Sequence, residues 1–249
     1  MALSASYNYA LTRDSLIARA LRIIGAIAQG ETPTATAVTE ASQTLNEVMK
    51  EWQSDGMQLW KTSTIALTGS VTTGATITIS PSTPTSMVVQ PAPWKVLHMY
   101  YKADSNSNDT PLRMITKEEY DRLTPKATTG TPTQCYYKPP GAAGGTDNAV
   151  GTFYLFPALS TAWIAANDIY ATAVFPLMDF DASTDNPDIP SYMFNALTWA
   201  LADQLSYEYG LGLGERSMIS KKAQMHKAMA LSFDQEEGSL YIRPEYAHG

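Results

Sequence analysis

The sequence predicts an α+β protein. It is expected to hold a discontinuous four-helix domain, an inserted β-rich (sandwich- or barrel-like) module and an extended C-terminal arm. Three observations predict this. Apolar residues recur at helical spacing towards both ends of the 249-residue chain. From residue 57 to about 180, Thr, Val, Ile and Tyr dominate, broken by Gly and Pro, which is the pattern of short strands. Two helices alone leave one side of each apolar stripe wet, so the N-terminal pair is expected to pack on the C-terminal pair. The expected boundaries are 1–56 with 181–233 for the helices, 57–180 for the β-rich module and 234–249 for the arm.

The first helix is expected over Asp14 to Gln29. Leu16, Ile17, Ala20, Leu21, Ile24, Ile27 and Ala28 fall on one face, and Gly30 supplies a stop. The second opens at Thr32-Pro33, with a cap and then proline in the first turn. It buries Val38, Ala41, Leu45, Val48 and Trp52 and ends at Gly56. Strands are expected at Thr62–Thr68, Ala75–Ser80, Met87–Gln90, Trp94–Lys102, Gln134–Lys138, Thr152–Phe156 and Ile169–Phe175. Thr116-Lys-Glu-Glu119 is a capping box that opens a short helix to about Leu123. Lys138 to Gly145 is a loop. A third long helix follows Asp188, with Pro190 in its first turn and Met193, Phe194, Leu197, Ala200, Leu201 and Leu205 inward. A fourth runs from about Glu215 to Phe233, with Met218, Ile219, Met225, Ala228 and Met229 inward.

Composition narrows the function. Lys and Arg number 17 against 24 Asp and Glu, a net charge of −7, and 44% of residues are apolar. That apolar fraction excludes wholesale disorder. The sequence pI near 4.9 argues against a general nucleic-acid binder. The single cysteine, Cys135, forms no internal disulfide. No segment reaches the run of about 18 apolar residues a membrane span needs, and no basic leader precedes an apolar run, so neither membrane nor secretory signal is expected.

The chemical motifs read as structural. Asp179-Phe-Asp181-Ala-Ser183-Thr-Asp185-Asn-Pro-Asp188 alternates acidic positions as a calcium loop does. It places Thr184 and Pro190 where such a loop needs Gly and Glu, so a polar connector with Asp188 capping the next helix is the plainer reading. Gly210-Leu-Gly212-Leu-Gly214 follows a helix and lacks the phosphate-loop lysine. His98, His226 and His248 stand at no metal-ligand spacing. No catalytic, cofactor or metal residue is assigned, and no enzyme activity is expected. Arg216, Lys221, Lys222 and Lys227 on the fourth helix are candidate DNA-facing residues, because lysine at this density attracts phosphate. The plainer alternative is a solvated helix face. Beyond Gly238, the arm carries Leu240, Tyr241, Ile242, Arg243 and Tyr246. Its alternation suits a strand laid on a neighbour, the alternative being a tail folded back on its own β-rich module.

Several stretches carry a resemblance. Arg13-Asp-Ser-Leu-Ile-Ala-Arg-Ala-Leu-Arg-Ile-Ile-Gly25 and Leu45-Asn-Glu-Val-Met-Lys-Glu-Trp52-Gln-Ser-Asp-Gly56 resemble the N-terminal hairpin of head-to-tail adaptors of tailed, short-tailed bacteriophages. These are also called tail accessory factors or packaged-DNA stabilisation proteins. Phe153-Tyr-Leu-Phe-Pro157, Asp168 to Pro176, Asn186 to Tyr192 and the helix to Gly210 resemble phage connector proteins. The resemblance implies a structural virion protein at the head–tail junction, assembled in the host cytoplasm. It implies a homo-oligomeric ring, twelve-fold, bound to the portal protein and to a downstream nozzle or tube protein. Packaged DNA passes through without sequence-specific binding. It also favours Leu240, Tyr241, Ile242, Arg243 and Tyr246 as contacts to the portal or a neighbouring subunit. The alternatives are a glycan- or cell-wall-degrading tail enzyme and a carbohydrate-binding module on a helical stalk.

Overall fold

The computed structural model describes residues 9–56, 61–67, 76–80, 85–103, 108–141 and 150–233. Six α-helices and an eight-stranded sheet make up the described residues, a mixed architecture compatible with the α+β class. The elements begin with α1 (Arg13–Ile23), α2 (Ala35–Ser54), β1 (Thr62–Ala66), β2 (Thr76–Ser80) and β3 (Ser86–Gln90). Next come β4 (Lys95–Ala103), β5 (Asp109–Met114), α3 (Lys117–Arg122), β6 (Gln134–Lys138) and β7 (Gly151–Phe156). The chain continues through α4 (Thr161–Ala166), β8 (Asn167–Val174), a 3-10 turn (Ser191–Met193), α5 (Phe194–Glu208) and α6 (Leu213–Phe233). Two compact units result: Met1–Leu59 with Met178–Gly249, and Trp60–Leu177.

In the helical unit α5 packs against α1, α2 and α6, and α1 packs against α2. Leu16, Ile17, Leu21, Leu45, Met49, Trp52, Leu197 and Leu201 are almost or wholly removed from solvent. Each fully buried side chain of this size stabilises by about 1.5–3 kcal/mol relative to exposure.

Helix ends account for most differences from the expected boundaries. α1 stops at Ile23, a turn and a half before Gln29. Gly25 takes φ +75°, its N–H reaches the Arg22 carbonyl, and the Ala26 N–H reaches that of Leu21. This doubly bonded close satisfies two orphan carbonyls and needs the left-handed backbone glycine allows. Ile27 is consequently half-buried and Ala28 exposed. α2 is capped by Thr34, whose Oγ1 accepts from the Ala37 N–H at 3.3 Å, so Thr32 is not the cap and Pro33 precedes it. Pro190 does not sit in the first turn of α5; it precedes the 3-10 turn that leads into it. Gly210, at φ +63°, repeats the α1 close at the end of α5, with Leu211 N–H on the Ser206 carbonyl.

In the other unit the strand order is β1-β8-β4-β5-β6-β7-β3-β2. All neighbours are antiparallel except β5 and β6. Each expected strand overlaps an observed one, but β5 and α4 were not foreseen. Pro111 explains the first. β5 pairs with β4 through Asp109–Leu112 and with β6 only through Arg113 and Met114. Pro111 therefore has a strand on one side only, where a missing N–H is tolerated. α4 is capped by Ser160 and sets Trp163 edge-on to Tyr101 at 5.3 Å. One apolar cluster fills the inner face, including Met87, Met99, Cys135, Phe153, Leu155 and Ile169. The capping box forms as expected: Glu119 N–H donates to Thr116 Oγ1 and Thr116 N–H donates to Glu119 Oε2. It seats Tyr120 against Tyr136 and Tyr154.

Candidate interaction surfaces

The four candidate DNA-facing residues do not share a face. Successive residues of α6 are about 100° apart, which puts Lys227 and Arg216 on one side and Lys221 and Lys222 on the other. Lys227 donates to Asp55 at 2.6 Å and lies 3.6 Å from Glu51, both near the end of α2. Arg216 lies over the Tyr207 ring at 3.8 Å. Lys222 sits 4.9 Å from the Trp199 ring centre. Lys221 is exposed and makes no ion pair among the described residues.

The expected inward face of α6 is also corrected. Met218, Met225 and Met229 are 65%, 46% and 54% exposed, and Ala228 is exposed too. Ile219, Ala223 and Ala230 are the buried row. The reason is steric. α6 lies on α5, and two small alanines with one isoleucine let the helices approach, whereas the longer methionines point about 120° away. Beside Met218 the end of α1, α5 and α6 enclose a groove of about 390 Å³ whose lining includes Arg22, Trp199, Glu215 and Lys222.

α2 presents the opposite chemistry. Glu40, Glu47 and Glu51 are exposed and fall within about 40° of one another, a negative ridge along the helix. Its buried side holds Ala41, Thr44, Leu45, Val48, Met49, Trp52 and Gln53. Thr44 donates to Glu208 Oε1 at 3.0 Å.

The remaining motifs resolve locally. In the acidic connector, Asp185 accepts from the Ala182 and Asp181 N–H groups at 2.6 and 2.9 Å. Those two bonds, with Arg13 nearby, hold its carboxyl below the usual range. Asp188 accepts from the Met178 N–H at 3.2 Å, and no side-chain cap opens the 3-10 turn. Of Gly210, Gly212 and Gly214, Gly210 alone takes a left-handed φ, so only there does the backbone favour glycine. Cys135 is fully buried, which pushes its thiol far up and leaves it unreactive. His98 lies 3.2 Å from the Thr172 hydroxyl and stacks on Tyr100, which stacks on Tyr170 at 5.2 Å. His226 stacks on Trp199 and meets Asn195. Among the described residues no three His, Cys, Asp or Glu side chains converge as a metal site would require, and no helix is long and apolar enough to cross a membrane.

Two features escaped the sequence. Asp203 is half-buried on α5; burial raises its carboxyl above the usual range, offset in part by a hydrogen bond with Ser220 and by Arg216. Its Oδ1 has no partner among the described residues. The Tyr100–Tyr170 stack spans two strands that only the sheet register brings together. Neither carried a sequence signal. The arm residues Leu240, Tyr241, Ile242, Arg243 and Tyr246, and His248, lie outside the described residues. No protein-family model and no curated protein matches the chain.

Proposed function

We propose that the protein is a structural adaptor of a tailed, short-tailed bacteriophage, forming a twelve-fold ring that joins the portal to a downstream nozzle or tube protein. It lines the DNA exit channel at the head–tail junction of the virion and is assembled in the host cytoplasm. In this reading α1, α2, α5 and α6 act as one cooperative domain, residues 57–180 are an inserted module, and Leu240, Tyr241, Ile242, Arg243 and Tyr246 reach the portal or a neighbour. The resembling stretches lie on α1, the second half of α2, β7, β8, the connector into the 3-10 turn, and α5.

The observation that carries the reading is the acidic ridge on α2. Glu40 and Glu47 form an exposed negative row in a chain of net charge −7, and Glu51 extends it beside Lys227. Two of the four basic residues on α6, Lys227 and Arg216, are half-buried against acids or a ring, while Lys221 and Lys222 stay exposed, Lys222 beside the Trp199 ring. A wall of that sign repels phosphate and lets DNA slide. The test is negative-stain imaging of the protein mixed with portal: twelve-fold rings are expected, and dispersed particles at saturating portal would overturn the adaptor.

The Tyr100–Tyr170 stack favours a second reading, a carbohydrate-binding module. Retention on peptidoglycan or capsule, abolished by Tyr170→Ala, is its test. Hydrolysis of either polymer, lost on carboxylate substitution, would instead indicate an enzyme.

A further inference from the structure

The methionine face of α6 has a definite chemistry. Met218, Met225 and Met229 lie within about a 40° arc, and each is roughly half exposed or more. Lys222 borders the row on one side and Lys221 on the other, both exposed. Phe233, 74% exposed, closes the C-terminal end beside Tyr192. Methionine side chains are flexible and polarizable and pack well against aromatic rings.

We propose that this face is the docking surface for the segment that follows it, residues 234–249, laid back over its own α6 in the free subunit. Reach, apolar content and charge all point to that occupant. Gly238 lies between Phe233 and the first apolar residue of the segment, where a reversal is sterically easy. Residues 240–246, extended at about 3.3 Å per residue, cover about 20 Å. Met218 and Met229 are about 16 Å apart along the helix axis. On one face of the extended segment Leu240, Ile242 and Tyr246 meet the methionines. The segment is net negative, with Asp234, Glu236, Glu237 and Glu245 against one arginine, Arg243, and this layout brings Glu245 to the two lysines.

A second α6 fits less well. Antiparallel pairing of two such faces brings Lys221 and Lys222 of both copies near the axis, where like charges repel. Tethering adds to the preference, since a short linker gives an effective concentration of about a millimolar. The inference does not depend on the adaptor reading. In that reading the same segment leaves this resting place for the portal or a neighbour.

Methionine oxidation by dilute peroxide, read by mass spectrometry, tests it. Met178 is 69% exposed and serves as the exposed reference, and Met49 at 0% as the buried one. In the full chain Met218, Met225 and Met229 are expected to oxidise about tenfold more slowly than Met178. That protection should hold from about 1 to 100 µM protein, as a tethered contact requires. A chain ending at Phe233 should oxidise all three at the Met178 rate. If that chain unfolds, shown by rapid oxidation of Met49, the full-length Leu240→Asp, Ile242→Asp double variant gives the same comparison. Equal rates in the full chain and the variant overturn the proposal. So does protection that grows with concentration and tracks a dimer in sedimentation, because the occupant is then a second copy.

Discussion

α2 and α6 have nearly the same length, 20 and 21 residues, and both carry apolar side chains along their whole course. α2 buries seven side chains and α6 three. The difference follows from neighbours. α2 lies against both α1 and α5, so a wide stripe that includes Trp52 and Met49 is covered. α6 lies on α5 and the 3-10 turn, and beyond them reaches α2 through Lys227. A helix with one close neighbour buries a narrow row against it, and its other apolar residues are left open to a further occupant whatever their periodicity.

The largest expected contrast is in core truncation. Leu45→Ala on α2 and Leu197→Ala on α5 each remove a side chain with no exposure, and each should cost about 2–5 kcal/mol in urea unfolding. In a chain ending at Phe233, Met225→Ala on α6 should change stability by less than about 0.5 kcal/mol. A larger loss at Met225 in the full chain than in the chain ending at Phe233 is expected where residues 234–249 cover the α6 face, and equal small losses in both would count against that cover. Combined with the oxidation test, that measurement also weighs the docked segment's contribution.

A smaller contrast concerns the lysines. Lys227→Ala breaks the bridge from α6 to α2 and should cost about 0.5–1 kcal/mol, with a coupling to Asp55→Ala in a double-mutant cycle. Lys221→Ala should be neutral in the same assay. Coupling indistinguishable from zero would leave α6 attached to the unit through α5 and the 3-10 turn.

The seam between α5 and α6 has its own pH signature. Burial raises the Asp203 carboxyl, so the folded state binds its proton at a higher pH than the unfolded state does. Stability from this group is therefore greatest at low pH and falls as pH rises from the unfolded towards the folded pKa. Asp203→Asn should flatten that slope. Asp185 has the opposite sign. Its lowered carboxyl contributes above the usual carboxylate range and loses that contribution as pH falls through the folded pKa. Protection of the Asp181 and Ala182 amides, relative to intrinsic exchange at each pH, should fall on acidification, whereas constant protection would sever the link to Asp185.

The smallest expected signal is DNA affinity. Binding at about 0.2 M salt should be weak. Any remainder should vanish in Lys221→Ala, Lys222→Ala and persist in Lys227→Ala, whose charge is already paired with Asp55 and Glu51. Tight duplex binding at that salt concentration would overturn the passive-channel reading.

Much of the local structure was legible. The Thr116–Glu119 box and the strand positions follow from residues within a few places of one another. The face of α6 was not legible, because an apolar stripe states what is able to be buried and not how many neighbours will bury it. β5 was hidden by Pro111, whose tolerance depends on a missing partner on one side. The candidate basic surface was half legible. Lysine and arginine density is visible in sequence, but the acids and rings that capture Lys227, Arg216 and Lys222 come from α2 and α5.

By itself the sequence determined the kinds of element present and how several of them stop. Gly25 and Gly210 end their helices because the closing hydrogen bonds span only three to five residues and need a left-handed backbone. It also determined the charge and the chemistry offered along α2, α6 and the segment after Phe233. Tertiary structure alone decided which apolar residues are dry, which cations are free and where a carboxyl such as Asp203 is held protonated to a higher pH. Each of those depends on what a second element, distant in sequence, brings within a few ångströms. Desolvation and pairing act over that distance, and no pattern along one segment encodes them.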